Sequence, residues 1–311
     1  MDGAVVWHEK DNMYIVATYP DSTAQRPKGI SAKPVIDFLI AGMHEHTLQT
    51  TILSPQGIEG DEIRWASAYD FHQGATQVLY PPSLGGRTKV VKAINTVLSW
   101  IWLLAVLGRH TKKGETILVY HSMNYLIPIS LLRSFKKLQV VLYIGEFYQT
   151  LYPMSPIKQR LEKRYIKRAD AYIFVTHLLS QQVRELRKDS FDHVTLYGPY
   201  KREILAHQNV DNTKTRLLYV GKISKDKGIE RTIELANYLS DQFEIRIIGY
   251  CESYDEETLM SKISESNRTN SCKLIFDGVK HGAEYVEYVQ SCELGLVLQD
   301  MNASFNANSF P

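Results

Sequence analysis

From Met13 onward, runs of consecutive apolar residues alternate with stretches in which apolar residues return every three or four positions. "MYIVATYP", "TLQTTILSP", "TQVLYPP", "TILVYHS", "LQVVLYIGEFY", "AYIFVTH" and "HVTLYGP" predict strands. Between them "KPVIDFLIAGM", the apolar stretch from Ile94 to Gly108, "LIPISLLRSF", "IKQRLEKRYIKRA" and "SQQVREL" predict helices. Such alternation implies an α/β chain with parallel strands covered by helices on both faces. The polar stretch "YKREILAHQNVDNTK" then breaks the periodicity, and the alternation resumes with "RLLYVGKI", "KGIERTIELANYL", "FEIRIIGY", "DEETLMSKISES", "CKLIFDGV", "AEYVEYVQSC" and "ELGLVLQD". The pattern therefore predicts two doubly wound domains, residues 1–200 and 215–311, joined by a linker at 201–214. In such an arrangement the cleft between the domains is the expected site.

One turn in the second domain stands out. "LLYVGKISKDKG" places Lys222, Lys227 and Gly228 between the strand ending at Gly221 and the helix in which Ile229, Ile233, Ala236 and Leu239 form the apolar side. The C-terminal end of a parallel strand and the N-terminus of the following helix together favour an anion, and two lysines add formal charge to that partial one. A phosphate group fits this turn, and so does a plain solvated surface turn.

The 311 residues suffice for two cores, and 44% hydrophobic with 23% charged residues is an ordinary globular balance. A formal net charge of +2 gives no argument for a nucleic-acid partner. The 19 tyrosines suit polar ligands with flat faces and buried cores equally. Cys251, Cys272 and Cys292, odd in number and without close spacing, read as reduced thiols. The first ten residues lack the apolar core of a signal peptide, so the expected location is the cytoplasm. The stretch from Ile94 to Gly108 is shorter than a bilayer span of about 20 residues. It reads as a core helix or as a helix lying on the inner face of a membrane, where Arg87, Lys89 and Lys92 with Trp100 and Trp102 would meet anionic lipid.

The second half resembles the nucleotide-binding domain of the retaining family-4 glycosyltransferases, whose two Rossmann-like domains face each other across a cleft in the architecture called GT-B. "YVGKISKDKGIERTIELA" is similar to that family's Gly-Arg-Leu, Lys-Gly and helix block, "FEIRIIGY" to its next strand, "KLIFDGVKHGAEYVEYVQSCELGLVL" to the strand, turn, helix and strand that follow, and "NSFP" to the approach to its acidic motif. "KRADAYIFVTHLLSQQVRE" is similar to the end of the N-terminal domain. The resemblance implies transfer of a sugar from a nucleotide diphosphate sugar, such as a UDP- or GDP-sugar, to a saccharide or lipid-linked saccharide, with retention and without metal or cofactor. Lys222 and Lys227 would then hold the donor diphosphate beside Gly221, stabilising charge that develops on the leaving group. Gly249 and the backbone around Val279 would line the base pocket, and Gly29, before the first helix, would let backbone approach the donor. His121, ending a strand, would contact the transferred sugar, and Glu146 would orient the acceptor hydroxyl or act as base. Each is also open to a plainer reading, a hydrogen-bonded strand end or turn geometry alone.

Lys222 stands where the family has arginine, which keeps the charge and loses the bidentate fork. The family's paired acids, seven residues apart, are a second departure. Asn308 falls at the first, and the second would lie beyond Pro311. The expectation is a second domain that is incomplete in a truncated transferase, with weak donor binding and slow transfer. The alternative from another class is a catalytically inactive sugar-nucleotide-binding subunit that regulates or scaffolds an active partner.

Overall fold

The first apolar run forms strand β1 (Asn12–Val16) in the computed structural model, which describes residues 12–21, 26, 32–45, 49–148, 154–198, 213–251 and 254–300. Helix α1 (Lys33–Glu45) returns the chain to β2 (Gln49–Leu53), and β1 and β2 pair in parallel from Asn12↔Gln49 to Val16↔Leu53. β5 (Thr76–Tyr80), β7 (Thr116–Tyr120), β8 (Gln139–Ile144), β9 (Ala171–Phe174) and β10 (Asp192–Thr195) extend this sheet. The order is β10-β9-β8-β7-β1-β2-β5-β4. Its last member, β4 (Tyr69–Gln73), runs antiparallel to β5 through a turn at Gly74. β4, and the short pair β3 (Trp65–Ala66) and β6 (Ser83–Leu84), are additions to the purely parallel sheet expected from the sequence.

Helices α2 (Lys89–His110), α3 (Leu126–Lys136), α4 (Pro156–Lys167) and α5 (His177–Arg187) follow in order. Leu103 and Leu107 of α2, Ile129 and Leu132 of α3, Tyr165 and Ile166 of α4, and Leu179 and Val183 of α5 belong to one buried cluster. Ile36 and Ile40 of α1 belong to another. Helices thus cover both faces of the sheet, as crossovers in a doubly wound fold require.

The described residues fall into two compact units, up to residue 198 in the first and from 213 in the second. The second unit is a four-stranded parallel sheet, order β13-β12-β11-β14, from β11 (Thr215–Ile223), β12 (Phe243–Cys251), β13 (Lys273–Phe276) and β14 (Leu294–Gly295). Helices α6 (Ile229–Leu235), α7 (Glu256–Thr269) and α8 (Gly282–Gln290) connect the strands. Helix α6 is shorter than its apolar pattern suggests. A 3-10 turn over Ala236–Tyr238 follows, and Leu239 is already extended.

Candidate functional site

In the second unit β11 and β12 stay in register to their ends, where Gly221 faces Gly249 and Lys222 faces Tyr250. Gly221 has φ 122° and Gly249 φ 145°, and a Cβ at Gly249 would lie 1.7 Å from the Gly221 carbonyl oxygen. Glycine is therefore required for the two strand ends to approach this closely. The Gly249 N–H donates to the Gly278 carbonyl at 2.8 Å, which draws the third glycine turn and Val279 to the same edge. Gly221, Lys222, Gly249 and Val279 thus gather at neighbouring C-terminal strand ends, where parallel sheets bind ligands.

The turn to α6 differs from the sequence reading. β11 continues two residues past Gly221, so Lys222 lies in the strand, half-buried, and its carbonyl accepts the Tyr219 hydroxyl at 2.8 Å. Lys227, also half-buried, closes the turn through its N–H to the Ser224 carbonyl at 3.2 Å. Gly228 caps α6 with φ 85°, and a Cβ there would lie 2.0 Å from the Leu298 carbonyl oxygen. Arg231 donates to the Gln299 carbonyl at 3.1 Å, and the Asp300 N–H donates to Asp226 at 3.0 Å, so the segment after β14 is packed against this turn. Helix α6 has only seven residues, and its first turn carries Glu230, paired with Lys262 at 2.9 Å and Lys225 at 3.5 Å. The positive helix end is partly answered from within, so an anion here depends mainly on the two lysines.

In the first unit His121 follows β7 and is almost fully buried. Its Nδ1 donates to the Glu146 carbonyl at 3.1 Å, and its Nε2 faces Glu162 Oε1 at 3.5 Å. Burial, opposed weakly by the bond to Glu146, lowers the imidazole to about 4, so the ring is neutral at pH 7. The Tyr148 hydroxyl donates to the His121 carbonyl at 3.3 Å and its ring meets the imidazole edge-on. Glu146 itself is exposed at the end of β8, joined to His121 through its backbone. Gly29 and Asn308 lie outside the described residues.

Two further charged residues hold this edge in place. Glu162, fully buried in α4, accepts the Tyr148 N–H at 2.7 Å as well as facing His121. Arg26, 1% exposed, donates to the carbonyls of Gln56 and Pro81 and lies over the Tyr80 ring at 4.7 Å. The sequence offered no signal for either. Glu162 sits among cations in an amphipathic helix, and Arg26 stands alone in a polar loop. At the same edge a cavity of about 500 Å³ is lined by Thr18 after β1, Gln56 after β2, and Lys92, Asn95, Ser99 and Trp100 of α2. Hydroxyls, two amides, an indole and a cation of this kind suit a polyol. Trp100 donates to the Asn124 carbonyl at 2.7 Å, which turns it inward beside the cavity, and Trp102 packs on the core.

No protein-family model and no curated protein sequence matches the chain. Solved structures do. An E. coli structure of trehalose-6-phosphate bound with UDP-2-fluoro glucose aligns with a TM-score of 0.64 at 9% identity, over 92% of this chain and 78% of that one. The sucrose-phosphate synthase of Thermosynechococcus elongatus gives 0.63 at 12% identity, over 92% and 75%. An Anabaena protein, HepE, in complex with UDP gives 0.59 at 11%, over 93% and 74%. At these identities the likeness is one of fold, and the fold is that of GT-B proteins, with Rossmann-like parallel sheets.

Proposed function

We propose that this protein is a glycosyltransferase that takes a sugar from a UDP-sugar and passes it to a saccharide or lipid-linked saccharide. The observation that carries this reading is the glycine-spaced strand edge of the second unit, where Lys222 lies with Gly221, Gly249 and Val279 and the turn that follows carries Lys227. Fold neighbours solved with UDP-2-fluoro glucose and with UDP support the choice of nucleotide. The lysines bind the diphosphate and stabilise the charge that appears on it as the glycosidic bond breaks. The acceptor hydroxyl attacks from the leaving-group face while a diphosphate oxygen helps remove its proton, which retains configuration. A neighbouring trehalose-6-phosphate synthase has been analysed as a case of transfer with retention, which supports this route. In the first unit the 500 Å³ cavity receives the acceptor, Glu146 orients its hydroxyl, and neutral His121 contacts the transferred sugar. The resemblance to family 4 in the second half remains the finer assignment.

The test is a transfer assay with UDP-glucose, with glucose 6-phosphate and lipid-linked saccharides as acceptors, run with and without excess chelator. Acceptor-dependent UDP release that survives the chelator is the expected result, because the charges at the donor edge are lysines. Release abolished by chelator and restored by magnesium contradicts the metal-free mechanism. UDP binding without release for any acceptor favours an inactive sugar-nucleotide-binding subunit.

A further inference from the structure

The helix layer of the first unit has an outer surface that a water-facing layer should not have. Helix α2 buries Val91, Ser99, Leu103 and Leu107, the last two in the core under the sheet, and exposes Val90, Ile94, Val97 and Ile101. These four recur at steps of four, three and four and are 68%, 40%, 50% and 59% exposed. No charged residue occurs between Lys92 and Arg109, so the stripe runs unbroken along the helix. Helix α3, packed beside α2, exposes Ile127, Leu131 and Phe135 at successive four-residue steps, the last 81% exposed. Helix α4, beside α3, exposes Ile157 and Leu161. Contiguous apolar surface on adjacent helices marks an interaction face.

The charge around this face is segregated in a way that the net value of +2 conceals. Residues 87–168 contain 15 Lys and Arg but only three carboxylates, Glu115, Glu146 and Glu162, a surplus of 12. The other 229 residues therefore carry a net of −10. Because Glu162 is buried, the outer surface of α4 presents Lys158, Arg160, Lys163, Arg164 and Lys167 with no acid among them. Between α3 and α4 lies a cavity of about 320 Å³ lined by Ile129, Ser130, Arg133, Tyr165 and Arg168. The Tyr165 hydroxyl there is buried and has no hydrogen-bond partner among the described residues. Arg133 is engaged by Asp170 at 2.6 Å, so Arg168 and the unpaired hydroxyl are what suit a phosphodiester oxygen here.

We propose that the outer face of α2, α3 and α4 docks on a bilayer surface rich in anionic phospholipid, with the cavity between α3 and α4 receiving a headgroup phosphate. An aliphatic stripe bordered by lysine and arginine meets both demands of such a surface, apolar burial at the acyl boundary and attraction to anionic headgroups. A second copy of the chain meets only one, because it brings the same cationic surplus against itself. At 22 residues α2 is long and apolar enough to cross a membrane, yet its buried side belongs to the sheet's core, so it lies along the surface. The same helix lends Asn95 and Ser99 to the 500 Å³ cavity, which places the lipid surface within one helix diameter of it, about 10 Å. Docking rests on this surface alone and does not depend on the transferase reading.

Vesicle co-sedimentation tests it, with vesicles of phosphatidylcholine alone and of phosphatidylcholine mixed with phosphatidylglycerol. The protein is expected to sediment with the mixed vesicles, less so at high salt, and weakly with phosphatidylcholine alone. Val97→Glu with Ile101→Glu, and separately Lys163→Glu with Arg164→Glu, should each reduce partitioning by about tenfold or more while leaving the melting temperature unchanged, since all four side chains are exposed. A protein that stays in the supernatant with the mixed vesicles, or variants that bind as well as wild type, would overturn the proposal. So would a dimer in sedimentation velocity that Val97→Glu with Ile101→Glu dissolves, which would assign the face to a second copy.

Discussion

His121 shows how much one burial decision fixes. Its Nδ1 must donate, because the partner is a carbonyl, and its Nε2 faces the Glu162 carboxyl group in a buried site. With a folded pKa of about 4 against 6.5 when exposed, the unfolded chain binds the proton more readily. The stabilisation is complete above pH 6.5 and is lost as pH falls from 6.5 towards 4, by up to about 3 kcal/mol. Between pH 7 and pH 5 urea unfolding of wild type should therefore lose about 2 kcal/mol more than that of His121→Asn. Equal losses would show that another group governs the acid limb. The place of His121 at a strand end was legible because it follows an apolar run. Its partner Glu162 was not, because a lone acid in a basic helix reads as solvated until the fold turns it inward.

At the scale of elements, every parallel strand and every connecting helix among the described residues was visible as apolar periodicity, while the antiparallel edge was not. β4, "YDFHQ", alternates Tyr69 and Phe71 with polar residues over only five positions and is mostly exposed, too short a signal beside the long apolar runs. At α2 the continuous apolar sequence left a core helix and a surface helix both open, and the structure buries only one side of it. The glycine pairing of β11 with β12 also needed the structure, because sequence shows a turn glycine without showing what it must clear. Gly249→Ala should cost the second unit about 3 kcal/mol or more, since its Cβ would collide with backbone. Gly221→Ala, with φ 122° but open space around the Cβ, should cost about 1–2 kcal/mol. Thermal unfolding of both variants checks the order, and a milder Gly249→Ala would show that the strand ends are not held this close.

For the molecule as a whole, the chain separates its chemistry by unit. The first carries a basic, partly apolar helix layer and a polyol-sized cavity, and the second carries glycine-spaced strand ends with two lysines. The α/β, doubly wound reading was available from alternation alone, because parallel strands need crossover helices and each leaves its own period in the sequence. The glycine-spaced edge of the second unit was available only as positions along the chain. That Lys222 lies within a strand, and that α6 is too short to lend much dipole, came from the strand register and helix length. In the proposed transferase those findings put the burden of diphosphate binding on the lysines, and calorimetry of UDP binding to wild type, Lys222→Ala and Lys227→Ala measures that burden. The account predicts saturable binding by wild type, weakened about 10- to 150-fold by either substitution, the range for a lost charge-assisted hydrogen bond. Unchanged affinity in both variants, or no binding by wild type, would contradict it.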